Sequence, residues 1–361
     1  MMITSLFICL SSIVFLGSLI LLFKFPDFTR KKVSSPSLNI SIVIAFKNES
    51  KNLGNLFSSL NNLNYPAENY ELILIDDNST DDSYQVAAML VQGKSNYHLL
   101  KADNKKFPAK KGALEIGIAH SKFAYILITD ADCLPSKNWL NGYAVLFEAG
   151  YDVLFGLAPF FQTKGVINNI SCFDNMRSHL LSFSLVKLNL PYSAAARNLG
   201  FRKTAFEKIG GFKNTLETFS GDDDLLIREA VKHKLQIGIV DFKDSQVVSN
   251  TKLSLHDYIH QKARHTQTSR HYLLVHMIIL GLWHSSNILA LFTLFFLITQ
   301  PLVAIPFFIK LFLDIVTVLK FQKLFEYKFK VHQIIYLQIL YEIFLVINFI
   351  FSFKKNIIWK G

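Results

Sequence analysis

Apolar residues are distributed unevenly along this chain. Ile3–Phe23 runs for 21 residues without a charge, enough for a helix to span ~30 Å of hydrocarbon. Ile278–Ile298 is apolar apart from His284, Ser285, Ser286 and Asn287. Pro301–Leu319 carries only Lys310 and Asp314 as charges, and Gln333–Phe353 only Glu342. The pattern predicts one membrane helix at the start and three at the end, with a boundary near Pro301. Lys310 and Asp314 stand four apart on one helical face, either as a pair shielding two charges from lipid or as part of a polar track. Met1–Thr4 has no basic residue, and Lys24-Phe25-Pro26-Asp27 stands where a small-residue cleavage site would be. An uncleaved anchor is therefore expected rather than a signal peptide.

Between these ends, residues 38–250 alternate buried-type strands with amphipathic helices. Asn39–Phe46 reads as a strand, Glu49–Asn62 as a helix, and Tyr70–Ile75 as a second strand running into Asp76-Asp77-Asn78-Ser79-Thr80-Asp81-Asp82. The Ser, Thr and Asp residues there cap a helix reaching about Gly93. Tyr97–Lys101 is a short third strand, Ala109–Ser121 a helix, and Ala124–Thr129 a fourth strand ending at Asp130. This alternation predicts an α/β domain with a parallel, doubly wound sheet, whose ligands bind beyond the carboxyl ends of the strands. Four segments result: an anchor over 1–24, the α/β domain over 38–250, an amphipathic interfacial segment over 251–272 and membrane helices over 273–353.

Composition supports this division. The 361 residues are 51% hydrophobic and only 18% charged, against about 25% charged in ordinary soluble domains. The net charge of +11 suits an anionic membrane face, an anionic substrate or nucleic acid. Lys and Arg concentrate at the membrane flanks, which argues against nucleic acid. Arg30, Lys31 and Lys32 follow the first helix, and 320–332 holds four Lys. By the positive-inside rule both face the cytoplasm, with the N-terminus outside. Four spans would then leave Lys354-Lys355 outside, so one late segment is alternatively re-entrant or interfacial. Cys9, Cys133 and Cys172 form no CxxC and predict neither a disulfide framework nor a zinc site.

No GxGxxG follows the first strand and no GxxxxGK[ST] occurs, so the usual phosphate cradles are absent. Acidic clusters take their place. Asp130 and Asp132 flank one residue, so in an extended segment both point to one side and suit Mg²⁺ or Mn²⁺; the alternative is loop capping. Asp77, at the end of the second strand, can accept hydrogen bonds from a base or ribose, or simply belong to a turn. Lys110 and Lys111 open a helix whose dipole disfavours cations there. A bound phosphate would reconcile the two, and a solvated charge is the alternative. Ser220-Gly221-Asp222-Asp223-Asp224 exceeds what capping of the following helix needs, and mutual repulsion would raise one pKa into the range of a general base. Residues 251–272 hold eight Lys, Arg and His interleaved with apolar residues, as headgroup-binding helices do.

Taken together and in this order, the motifs resemble the family 2 glycosyltransferases of the GT-A (Rossmann-like) fold, in the manner of bacterial membrane-anchored members. The matching pieces are Ala45-Phe46-Lys47-Asn48-Glu49, Asp76-Asp77-Asn78-Ser79, Lys110 with Gly112-Ala113-Leu114, and Asp130-Ala131-Asp132. Then come Asn198–Arg202, Gly210-Gly211-Phe212, Gly221-Asp222 with Asp224-Leu225, and Gln261-x-x-Arg264. The resemblance implies that Ala45, Asp77 and Glu49 line the nucleoside pocket and that Lys110 lies near the nucleotide. It implies that Asp130 faces ribose and metal, that Asp132 ligates Mg²⁺ or Mn²⁺, and that Asp222 is the catalytic base. Gln261 and Arg264 would close over diphosphate and acceptor. The implied activity is inverting transfer of a hexosyl or hexosaminyl unit from a nucleotide-diphosphate sugar to a lipid-linked or surface-glycan acceptor, at the cytoplasmic face of the inner membrane among membrane lipids. Two departures bear on this. Gly221 stands where the family often has Glu, so Asp223 is a second acidic candidate. His265 stands where a Trp is common, which weighs against the alternative of a processive polysaccharide synthase. A non-catalytic nucleotide-binding membrane scaffold is the reading from another class.

Overall fold

The computed structural model describes residues 2–28 and 38–353. Arg30, Lys31, Lys32, Lys354 and Lys355, on which part of the topology reading rests, lie outside the described residues. Among those described, the strands are β1 (Ile40–Phe46), β2 (Tyr70–Asp76), β3 (Tyr97–Lys101), β4 (Tyr125–Ile128), β5 (Cys133–Pro135), β6 (Val153–Gly156), β7 (Leu199–Arg202), β8 (Ile237–Val240) and β9 (Val247–Ser249). The helices are α1 (Met2–Lys24), α2 (Ser50–Asn61), α3 (Ser83–Val91), α4 (Ala109–His120), α5 (Trp139–Glu148) and α6 (Val166–Lys187). They continue as α7 (Lys203–Lys208), α8 (Asp224–Lys232), α9 (Leu255–Ser269), α10 (Leu274–Phe292), α11 (Ile305–Phe321) and α12 (Val331–Phe351).

Residues 27–28, 38–161 and 191–250 form an α/β unit. Its seven-stranded sheet runs β3-β2-β1-β4-β7-β6-β8. β1 and β2 are buried at every position, as Ile- and Val-rich runs covered on both faces must be. They pair in parallel from Ile40↔Tyr70 to Phe46↔Asp76, and β1 also pairs in parallel with β4. The sheet is not wholly parallel as the alternation suggests: β7 is antiparallel to both β4 and β6. The chain reaches β7 only after the excursion through α6, so no simple right-handed βαβ crossover dictates its direction.

One side chain ties this region together. Asn198, fully buried before β7, accepts hydrogen bonds from Trp139 Nε1 at 2.8 Å and the Tyr143 hydroxyl at 2.7 Å. Its amide donates to the Leu157 carbonyl at 2.7 Å and to Ser245 at 3.3 Å. Asn198→Leu would strand these partners at about 1–3 kcal/mol each. Thermal unfolding of the variant in detergent should show a loss of several kcal/mol, and unchanged melting would refute the hub.

Residues 2–26, 162–190 and 251–353 form the second unit. Four helices there are long and apolar enough to cross a membrane: Phe7–Lys24, Leu274–Phe296, Pro301–Phe321 and Val331–Phe351. These are the one early and three late segments that the apolar runs predict, and α1 packs against α6, α10 and α11. The expected Lys310–Asp314 pair forms at 2.5 Å. The continuous 38–250 domain read from the sequence differs from this partition. Residues 162–190 group with the membrane helices because α6 carries Asp174 and Arg177, whose partners lie on α9 and α11.

Candidate active site

In the α/β unit the sheet gathers the predicted residues at the carboxyl ends of β1, β2 and β4. Ala45 is buried near the end of β1, paired with Ile75. Asp77 follows β2 directly, and its backbone N–H donates to the Phe46 carbonyl at 2.7 Å. Its buried carboxylate accepts from Lys105 Nζ at 2.5 Å. Sequence reasoning missed Lys105. The position brings it there because the 105–107 segment folds back on α4 at Gly112, where a Cβ would lie 2.1 Å from the Phe107 carbonyl oxygen.

The loops after β1 and β2 are cross-tied. Asn48 and Asn78 both adopt positive φ, near 55°, which Asn tolerates well. Asn48 Oδ1 accepts from the Thr80 backbone at 2.8 Å. Glu49 sits at the N-terminus of α2, with its backbone N–H on Ser83 Oγ at 2.7 Å and its carboxylate on Asn52 at 2.5 Å. Asp81 carries the capping role: hydrogen bonds from Ser83 and Ser50 lower its pKa to about 2. Ser79–Asp82 is thus turn and cap, while Asp77 faces another way.

Lys110 is the centre of the second cluster. Neither it nor Lys111 is the solvated charge that stood as the alternative reading. Lys110 Nζ lies 2.6 Å from Asp130 and 2.8 Å from Asp222, joining residues 92 positions apart in the chain. Burial opposes its charge, and Asp130 and Asp222 overcome that, so the ammonium is held far into the charged range. Carboxylates thus sit where a phosphate seemed needed to explain a lysine at this helix start. Lys111, fully buried, donates to the Thr215 and Thr218 carbonyls and fixes the segment leading into Asp222.

The three acids at 222–224 part company. Gly221 has φ +83°, which turns the chain into α8. Asp223 is the N-cap: it accepts from the Asp224 N–H at 2.7 Å and the Ala196 N–H at 2.9 Å. Asp224 accepts from Ser193 at 2.7 Å. Arg228, four residues on, meets Glu217 and Glu229, each at 2.8 Å. Burial, with Asp224 and Asp222 nearby, pushes the Asp223 carboxyl well up. Burial first and repulsion second therefore raise the capping residue. Asp222 goes the other way: burial raises its pKa, but Lys110 outweighs that and holds it below the usual carboxylate range.

Asp130 and Asp132 come together through a turn rather than an extended strand, with the Cys133 N–H on the Asp130 carbonyl at 3.2 Å. Ligand atoms of Asp130, Asp132 and Cys133 lie within 4.8 Å of one another. Burial, and the two carboxylates, push the Cys133 thiol well up, and sulfur is a soft donor poorly matched to a hard cation. Two hard carboxylates remain, a donor set that fits Mg²⁺ or Mn²⁺. Gln261 and Arg264 lie on α9, in the membrane-helix unit. Ser254 caps that helix, accepting from the Asp257 N–H at 3.1 Å.

The chain is 27% identical over 187 residues to glycosyltransferase AglE of Haloferax volcanii, covering 51% of this chain and 58% of that protein. It is 27% identical over 229 residues to the beta-monoglucosyldiacylglycerol synthase of a Nostoc species, covering 61% and 47%. The chain spans about half the length of the curated relatives it matches. Its fold is similar to that of a mannosyltransferase, PcManGT of Pyrobaculum calidifontis, solved with GDP-Man and Mn²⁺. The TM-score is 0.59 at 15% identity, over 98% of each chain. Residues 41–210 match the model for glycosyl transferase family 2, and this stretch of the chain is a domain of that family.

Proposed function

We propose that this protein transfers a sugar, with inversion, from a nucleotide-diphosphate sugar to a hydroxyl of a lipid-linked or surface-glycan acceptor. The observation that carries the reading is the Lys110 clamp, which joins the Asp130 side of the site to an ionised Asp222. Ala45 and Asp77 take the nucleoside, with Glu49 beside them. Asp222 accepts the proton of the acceptor hydroxyl, whose oxygen attacks the anomeric carbon opposite the diphosphate. The bond from that carbon to the diphosphate oxygen breaks, and the nucleoside diphosphate leaves with the electron pair. Asp132 and Asp130 would hold a Mg²⁺ or Mn²⁺, which when bound supplies positive charge to the diphosphate. Gln261 and Arg264 keep the diphosphate and acceptor role that their motif implies. Support for a lipid acceptor comes from the four apolar helices and from the similarity to a protein named beta-monoglucosyldiacylglycerol synthase. Three late helices are few for a secretion pore, which disfavours a processive synthase.

Lys320 at the end of α11 and Lys323, Lys328 and Lys330 in the loop that follows cluster at one end of the last two spans, so this side faces the cytoplasm at the inner membrane. The test is a radiolabelled nucleotide-sugar panel on inside-out and right-side-out vesicles, with extraction into organic and aqueous phases. Label should enter product only in inside-out vesicles, stop in excess EDTA and return with Mn²⁺ or Mg²⁺. Transfer that persists in EDTA sinks the metal assignment. Absence of transfer with every donor sinks the function, and leaves the scaffold.

A further inference from the structure

Helix α6 was not legible as a functional element, yet two of its residues join helices that are distant in sequence. Asp174 is buried and accepts from Lys262 Nζ at 2.6 Å and the Tyr258 hydroxyl at 3.0 Å. Both partners lie on α9, four residues apart and so on one face. Gln261 and Arg264 lie on the same helix, roughly a third of a turn round. One turn further along α6, Arg177 pairs with Asp314 of α11. Asp314 also binds Lys310 at 2.5 Å, and Lys310 reaches Glu342 of α12 at 3.1 Å. Three cations and three carboxylates thus alternate from α9 through α6 and α11 to α12, with no net charge. The four inner groups are almost wholly buried.

Burying charges among apolar helices is a poor route to stability alone, because desolvation offsets most of the attraction. Apolar packing would hold these helices while leaving their rotation and register less defined. Ion pairs tolerate few geometries. To the direct packing of α9 on α12, which includes the Tyr258–Phe344 ring contact, the Asp174 contacts add a polar constraint on which face of α9 turns toward α6.

We propose that Asp174 is the positioning residue for the helix that carries Gln261 and Arg264, and that the Arg177–Asp314–Lys310–Glu342 series anchors it to the membrane helices. This rests on the diphosphate role proposed for those two residues. Asp174 itself touches no substrate in this account and acts through α9.

The test uses the full chain in lipid nanodiscs. In Asp174→Asn, amide hydrogen exchange over 255–269 should rise while exchange over 274–296 stays unchanged. kcat should fall by about 10–100-fold, the scale of a small misplacement of catalytic groups, with donor KM within about threefold. Lys262→Met should reproduce both effects. The double variant should be no worse than either single one, as expected of partners in one interaction. Asp174→Glu should recover part of the rate. Unchanged exchange in α9 in both variants overturns the proposal, as does a normal kcat in both alongside an inactive Arg264→Met. If the unsubstituted protein transfers no sugar, the functional reading fails and the exchange measurement alone decides the anchor.

Discussion

Asp222→Asn is expected to lower kcat by about 10²–10⁴-fold, the usual cost of removing a general base, with nucleotide-sugar affinity nearly unchanged. The side chain keeps its size, and Lys110 keeps Asp130 at 2.6 Å, so the fold around the site should survive. What is lost is the carboxylate that takes the acceptor proton. Asp223→Asn provides the contrast. Its carboxyl caps α8 and accepts from two backbone N–H groups; the amide oxygen keeps one of these bonds, and no acceptor proton is handled at this position. Turnover there should stay within a few fold of the unsubstituted enzyme. The acid limb of the rate profile follows from the same geometry. A base whose folded pKa is depressed stays ionised as pH falls past the ordinary carboxylate range of about 4. Activity is lost only below it, unless the protein unfolds first. Donor binding by calorimetry and initial rates across pH check these outcomes. An inactive Asp223→Asn with an active Asp222→Asn would move the base by one position.

The parts of this molecule that announce themselves in the sequence are those governed by long patterns. The four apolar runs, and the Ile- and Val-rich β1 and β2, are long enough to read alone. Each of the strands from β5 to β9 has only three or four residues, too few for periodicity to register, and the antiparallel insertion of β7 is a tertiary decision. Helix α6 has no clear amphipathic stripe because it is buried on most sides, so Asp174 and Arg177 gave no signal. At the site, residue types were informative and partners were not. Nothing in the string Lys110-Lys111 says that one lysine meets two carboxylates and the other two carbonyls. Likewise the division of labour among Asp222, Asp223 and Asp224 follows from who donates to each, and Ala196, Ser193 and Lys110 are remote in sequence. Lys105 on Asp77 is the clearest omission, since a lysine in a polar loop carries no mark of its destination.

Asp132→Ala should abolish measurable transfer, a loss of at least about 10²-fold, since even indirect supports of a metal ligand are worth 10–100-fold in affinity or rate. Asp130 cannot compensate, because its carboxylate is already shared with Lys110. Cys133 is a poor substitute, because its soft sulfur suits a hard cation badly. Asp132 is half-buried at a turn between β4 and β5, outside the ladder of either strand. The variant should therefore melt within a few degrees of the unsubstituted protein. The measurement that separates metal loss from general damage is Mn²⁺ binding, read by electron paramagnetic resonance with nucleoside diphosphate present. The unsubstituted protein should bind about one Mn²⁺ per chain, and Asp132→Ala should bind it at least about tenfold more weakly. Asp222→Asn should bind Mn²⁺ normally although it too is slow. Equal Mn²⁺ affinity in Asp132→Ala and the unsubstituted protein would take the cation away from this pair of carboxylates.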